Sequence, residues 1–133
     1  MVVVDSGVWI DFFRGSPSPA CDALKRLLYE ADARIVVPDL VLFEVLRGFR
    51  HERDHRQAQS LMVSFDIEAC SSPELAVAAS NHYRSLRASG VTIRSALDVL
   101  IAAFCIDRDY LLLHADRDFD ALAEHRGLRV WAH

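Results

Sequence analysis

The sequence predicts an α/β fold: a three-layer α/β/α sandwich on a largely parallel sheet of four to five strands, formed by residues 1–133 as a single domain. Three observations carry this expectation. Strand-like and helix-like segments alternate along the chain, the pattern that closes into parallel βαβ units. The opening run Val2–Val4 is β-branched without alternation, as a strand covered on both faces should be. Finally, 133 residues, 52% of them apolar and 26% charged, suffice for one buried core but not for two.

The elements follow in order. The first strand stops at Asp5, Gly7 lets the chain turn, and Val8 to Phe13 reads as a short helix closed by Arg14-Gly15 and Pro17-Ser18-Pro19. Ser18-Pro19 supplies an N-cap and a proline at the first helical position. Leu24, Leu27, Leu28 and Ala31 then give the stripe of a helix running to about Ala31. Arg34 to Val37 is the second strand, and Asp39 caps a helix from Leu40 to about Phe49. The charged run Arg50 to Arg56 reads as a solvated turn or helix start, and Ala58, Leu61, Met62 and Phe65 mark a fourth helix. A third strand lies near Ser64 to Ala69. Ser71 and Glu74 have capping-box spacing at the head of a helix to about Ala88. Arg94 to Asp107 is another helix and Tyr110 to Leu113 a strand. The acidic loop up to Asp120 leads to a short helix ended by Gly127, and Leu128 to Trp131 is the last strand.

Composition excludes several classes. No run approaches the roughly 20 apolar residues that span a bilayer, and no basic segment precedes an apolar leader, so a cytoplasmic protein without membrane contact is expected. Cys21, Cys70 and Cys105 are odd in number and widely spaced, suiting reduced core thiols and not a disulfide frame or zinc site. The net charge of -4 argues against nonspecific nucleic-acid binding, although Arg supplies every cation except Lys25.

Four carboxylates stand where folding alone does not ask for them. Asp5 ends a strand, where it either caps the next helix or enters a site, since open α/β sheets bind ligands beyond the carboxyl ends of their strands. Glu44 is the only charge in Leu40–Leu46, and Asp98 the only one in Ser95–Ile106. An ionised carboxylate in such an apolar helix is costly unless paired, hydrogen-bonded or bound to metal. With its helix starting near Arg94, Asp98 lies too deep for capping; an arginine partner is the structural alternative for it and for Glu44. Asp116 follows the Tyr110–Leu113 strand, with Asp118 and Asp120 competing in the same turn. Four acids at one edge could not all stay ionised without a cation. Their hard oxygen donors suit Mg²⁺ or Mn²⁺. His51 and His55 have ligand spacing but sit in the charged run, where a solvated face is expected; His114 adjoins the acidic loop.

Four segments resemble the PIN domain: Val4-Asp5-Ser6-Gly7-Val8-Trp9-Ile10-Asp11, Glu44 ahead of Arg47-Gly48, Leu97-Asp98-Val99-Leu100-Ile101-Ala102-Ala103, and Leu112-Leu113-His114-Ala115-Asp116-Arg117-Asp118-Phe119. Among PIN domains they are similar to the VapC-type toxins of bacterial toxin–antitoxin pairs, in order along essentially the whole chain. One departure is Gly7, where serine is common. The resemblance implies a PIN-like fold and a metal-dependent endoribonuclease that cuts structured tRNA or rRNA. It also implies a homodimer neutralised by a cognate VapB-type antitoxin. By the match, Asp5, Glu44, Asp98 and Asp116 form the catalytic metal site for Mg²⁺, with Mn²⁺ able to substitute. Ser6 takes the supporting polar position, and Asp118 and Asp120 are auxiliary candidates. Such a cluster lowers the pKa of a bound water, whose hydroxide attacks phosphorus in line. Arg14, Arg47, Arg50 and Arg94 are candidate contacts to the RNA backbone.

Other readings fit less. A receiver domain needs a lysine after a late strand, and a haloacid-dehalogenase phosphatase needs D-x-D after the first; the chain has neither. Asp116-Arg-Asp118 mimics a Toprim motif but leaves Glu44 and Asp98 unexplained. A catalytically idle PIN-like module that binds RNA or protein is the alternative from another class.

Overall fold

The computed structural model describes residues 1–30 and 33–133. Five strands form one wholly parallel sheet in the order β3-β2-β1-β4-β5: β1 (Val2–Val4), β2 (Ile35–Pro38), β3 (Asp66–Glu68), β4 (Leu111–Leu113) and β5 (Arg129–Val130). Every side chain of β1 and β2 is buried, which explains their unbroken apolar runs.

Among the described residues seven helices connect the strands: α1 (Ser6–Arg14), α2 (Pro19–Tyr29), α3 (Asp39–Leu46), α4 (Glu52–Met62), α5 (Pro73–Ala88), α6 (Ala96–Arg108) and α7 (Asp118–Arg126). The chain first winds from β1 outward to β3, then crosses to β4 and β5 on the other side of β1. Right-handed crossovers put helices wound in opposite directions on opposite faces, so α1–α4 cover one and α5–α7 the other. Contacts agree: α1 packs on α2 and α3, and α5 on α6 and α7. The reversal falls between β1 and β4, which makes their carboxyl ends the switch-point crevice.

Several boundaries shift from the sequence expectation, each for a local reason. The second helix ends at Tyr29; the expected end at Ala31 lies outside the described residues. Of the two readings of the charged run, turn or helix start, Glu52–Arg56 takes the helix, because α4 needs only Ala58 and Met62 buried and leaves its acidic first turn in water. Ser72, not Ser71, caps α5 by accepting from the Leu75 amide at 3.1 Å, so the Ser71–Glu74 box does not form. The third helix stops at Leu46, with the Gly48 amide bonded back to the Val45 carbonyl. It is also less buried than its composition suggests: Val41 and Val45 are buried, but Phe43 is 60% exposed. Cys21, Cys70 and Cys105 are buried free thiols. Among the described residues no helix is long and apolar enough to cross a membrane.

Candidate active site

Asp5 is the hinge between β1 and α1. Its backbone amide donates to the Leu113 carbonyl at 2.9 Å, tying β1 to β4, and its carbonyl accepts from the Val8 and Trp9 amides to start the helix. It occupies the N-cap position, yet its side chain makes no capping hydrogen bond. The residue is only 7% exposed and its Oδ1 is buried without a hydrogen-bond partner. Capping therefore does not account for the carboxylate. Ser6, the next residue, is also buried.

Glu44 follows Val41 by three residues and precedes Val45, so it lies on the edge of the face that α3 turns to the core. Its Oε1 is buried and unpartnered. Asp98 lies at the head of α6, which starts at Ala96 and not near Arg94. Ser95 is the N-cap and accepts from the Asp98 amide at 3.4 Å. Asp98 thus occupies the first helical turn, where the positive end of the helix favours a carboxylate. Ala102 and Cys105, four and seven residues on, share its side of the helix and are fully buried. Among the described residues neither Glu44 nor Asp98 forms an ion pair.

Asp116 lies three residues beyond β4. Its Oδ1 accepts from the Asp118 amide at 2.9 Å and its carbonyl from the Phe119 amide, so it starts α7 as well as facing the other acids. Arg94, whose side chain is 71% exposed, also binds the acidic loop: Nε lies 3.2 Å from Asp118 and a terminal nitrogen 3.8 Å from Asp116. Nothing in a separation of 24 residues announces that pairing. Asp120 is 72% exposed and stands 3.9 Å from Nε2 of buried His114. Arg14 and Arg50 are exposed, and Arg47 is exposed with its guanidinium 5.6 Å from the Phe43 ring centre.

Electrostatics link the four acids. Burial, then the Asp98 charge, then Glu44 push the Asp5 carboxyl up to about 7, although the Ser6 and Gly7 amides soften the rise. Burial raises Asp98 to about 6, followed by Asp116, Glu44 and Asp118, with Arg94 offsetting part. Elements far apart in the sequence, Asp5 after β1 and Asp98 at the head of α6, thus bring their carboxylates into one field. Among the described residues no three His, Cys, Asp or Glu side chains form a ready-made metal cage. The fit to a divalent ion is one of chemistry: hard oxygen donors, two orphaned buried oxygens, and carboxyls that burial and mutual repulsion hold partly protonated near neutrality.

Comparison with known proteins adds independent findings. The PIN domain model matches residues 2–125. The chain is 32% identical over 137 residues to VapC ribonuclease Mb1587 of Mycobacterium bovis, covering 98% of this chain and 97% of the relative. Ribonuclease VapC11 of Mycobacterium tuberculosis matches to the same extent. Among solved structures, VapBC2 from Rickettsia felis, bound to a DNA fragment from its promoter, superposes with a TM-score of 0.75 at 16% identity, over 99% of this chain and 100% of that one. FitAcB from Neisseria gonorrhoeae gives 0.76 at 18%, over 99% and 97%. At such identities these two structures speak for the fold.

Proposed function

The chain belongs to the PIN-domain family, and on that premise we propose that it is a metal-dependent endoribonuclease, the toxin of a toxin–antitoxin pair. The observation that carries the reading is that, beside burial, the charges of Asp98 and Glu44 raise the Asp5 carboxyl and those of Asp116 and Glu44 raise the Asp98 carboxyl, at the switch point of the sheet. The names of the relatives, VapC ribonucleases, and of the VapBC complexes support the ribonuclease and its antitoxin partner.

In this reading Asp5, Glu44, Asp98 and Asp116 hold Mg²⁺, or Mn²⁺ in its place. When bound, the ion lowers the pKa of a water and stabilises the departing oxygen of the phosphodiester. The chain supplies the rest. Asp5 and Glu44 each offer an oxygen with no competing donor. Asp98, carried on the first turn of α6, is held rigidly by the Ser95 cap. Arg94 neutralises part of the charge of Asp116 and Asp118, which lowers the repulsion an approaching phosphate meets. Arg14, Arg47 and Arg50 are free to contact the RNA backbone. Structured tRNA or rRNA as substrate, a homodimeric state and a cytoplasmic location belong to the same proposal.

The test is direct. Purified protein should cleave RNA with Mg²⁺ or Mn²⁺ and stop with EDTA, and expression should arrest growth in a way that Asp5→Ala or Asp98→Ala relieves. Undiminished toxicity of both variants refutes the site; absence of metal-dependent cleavage favours the idle RNA- or protein-binding module. Sequencing RNA ends after brief expression identifies the target.

A further inference from the structure

A second feature lies one helical turn beyond the acids. Between α1, α3 and the start of α4 is a cleft of about 240 Å³, lined by Ile10, Phe13, Arg14, Phe49, Arg50 and Asp54. It adjoins the acid cluster through the helices themselves. Ile10 is four residues, about 6 Å of helix, from Ser6, and Val45, another lining residue, follows Glu44. The cleft is smaller than the roughly 300–1,000 Å³ typical of drug-sized ligands, so it suits one ring system.

Its chemistry differs from that of the acid site. Phe13 and Phe49 meet edge to face at 5.6 Å and form an apolar wall. Charge reverses around it. The whole chain carries -4, yet Arg47–Arg56 contains four arginines (Arg47, Arg50, Arg53, Arg56) against Glu52 and Asp54, with Arg14 lining the same cleft. Among the described residues none of these five arginines is ion-paired, unlike Arg94. Exposed guanidinium groups attract a polyanion, and aromatic walls accept bases splayed from a single strand. The one carboxylate in the cleft, Asp54, only accepts hydrogen bonds when ionised. Guanine alone among the four RNA bases presents two adjacent donors, N1–H and N2–H, to a single carboxylate.

We propose that this cleft holds one unstacked guanine of the RNA next to the cut phosphodiester. Phe13 and Phe49 pack on the base, Asp54 reads its Watson–Crick edge, and Arg14 and Arg50 hold the flanking phosphates. The proposal rests on the nuclease reading and narrows it to single-stranded or looped RNA containing guanine.

The test uses the full chain and short labelled single-stranded RNAs that differ only in having G, A, C or U at one central position. In Asp98→Asn, fluorescence anisotropy should show about tenfold tighter binding of the guanine RNA, and the added Asp54→Ala should bring the four RNAs within about twofold. Asp54 is exposed, so its removal should leave the fold intact; circular dichroism checks this. With metal, the active protein should show the same preference in relative cleavage rates, again lost in Asp54→Ala. A base preference unchanged by Asp54→Ala, or none in the parent protein, overturns the proposal. So does an effect of Asp54→Ala confined to antitoxin binding, which would give the cleft to that partner. A protein that cleaves nothing with metal fails the nuclease reading separately, and the anisotropy comparison still decides the cleft.

Discussion

Asp5 shows how much one side chain can carry. A carboxyl held up to about 7 instead of 3.8 costs the metal-free fold stability, and the sign follows from proton counting. Between about pH 4 and 7 the folded protein keeps a proton that the unfolded chain has released, so stability falls as pH rises through that window. Above pH 7 the full penalty, of the order of 4 kcal/mol, remains. Thermal melts in EDTA should therefore give a lower Tm at pH 8 than at pH 5, and Asp5→Asn should flatten the difference. Should Asp5→Asn and the parent show the same pH dependence, the burial and crowding argument is wrong. Asp98→Asn should reduce RNA cleavage by about two orders of magnitude or more without lowering the Tm, because it removes a crowded charge and keeps the shape. Cleavage retained within a few-fold would remove Asp98 from the site.

At the scale of elements, the helix ends do the positioning. The Ser95 hydroxyl fixes the first turn of α6 and with it Asp98. Ser95→Ala should lower unfolding stability by about 1 kcal/mol. It should also weaken metal-dependent cleavage beyond what that loss explains; an effect on stability alone would make the cap merely structural. Much of this level was legible in the chain. The valines of β1 and the Ser18-Pro19 cap state their role locally, and the isolated charges Glu44 and Asp98 in apolar helices single themselves out as candidates. Other features depended on distant partners. The start of α6 fell two residues later than the pattern suggested, because Ser95 takes the cap. The pairing of Arg94 with Asp116 and Asp118 has no local signal, because those acids lie in a loop after another strand. The cleft at Phe13, Phe49 and Asp54 was equally invisible: α1 and the α3–α4 junction meet only in space.

Over the whole molecule, one topological decision organises the chemistry. Reversal of winding between β1 and β4 opens a crevice at their carboxyl ends, and α3 and α6 bring acids to it from opposite faces of the sheet. The core can hold such a cluster because the strands beneath it are wholly apolar. If a divalent ion relieves the repulsion, it binds the folded state in preference to the unfolded one, and Mg²⁺ or Mn²⁺ should raise the Tm at pH 8. That rise should shrink in Asp5→Asn; an equal rise in both proteins would place the ion elsewhere. The most direct measurement of the central claim is calorimetric titration of Mn²⁺ into the parent protein, Asp5→Asn, Asp98→Asn and, as a remote control, Asp22→Asn on α2. The account predicts saturable binding in the parent and the control that is lost or weakened at least about tenfold in the two site variants. Equal affinity in all four proteins would contradict it.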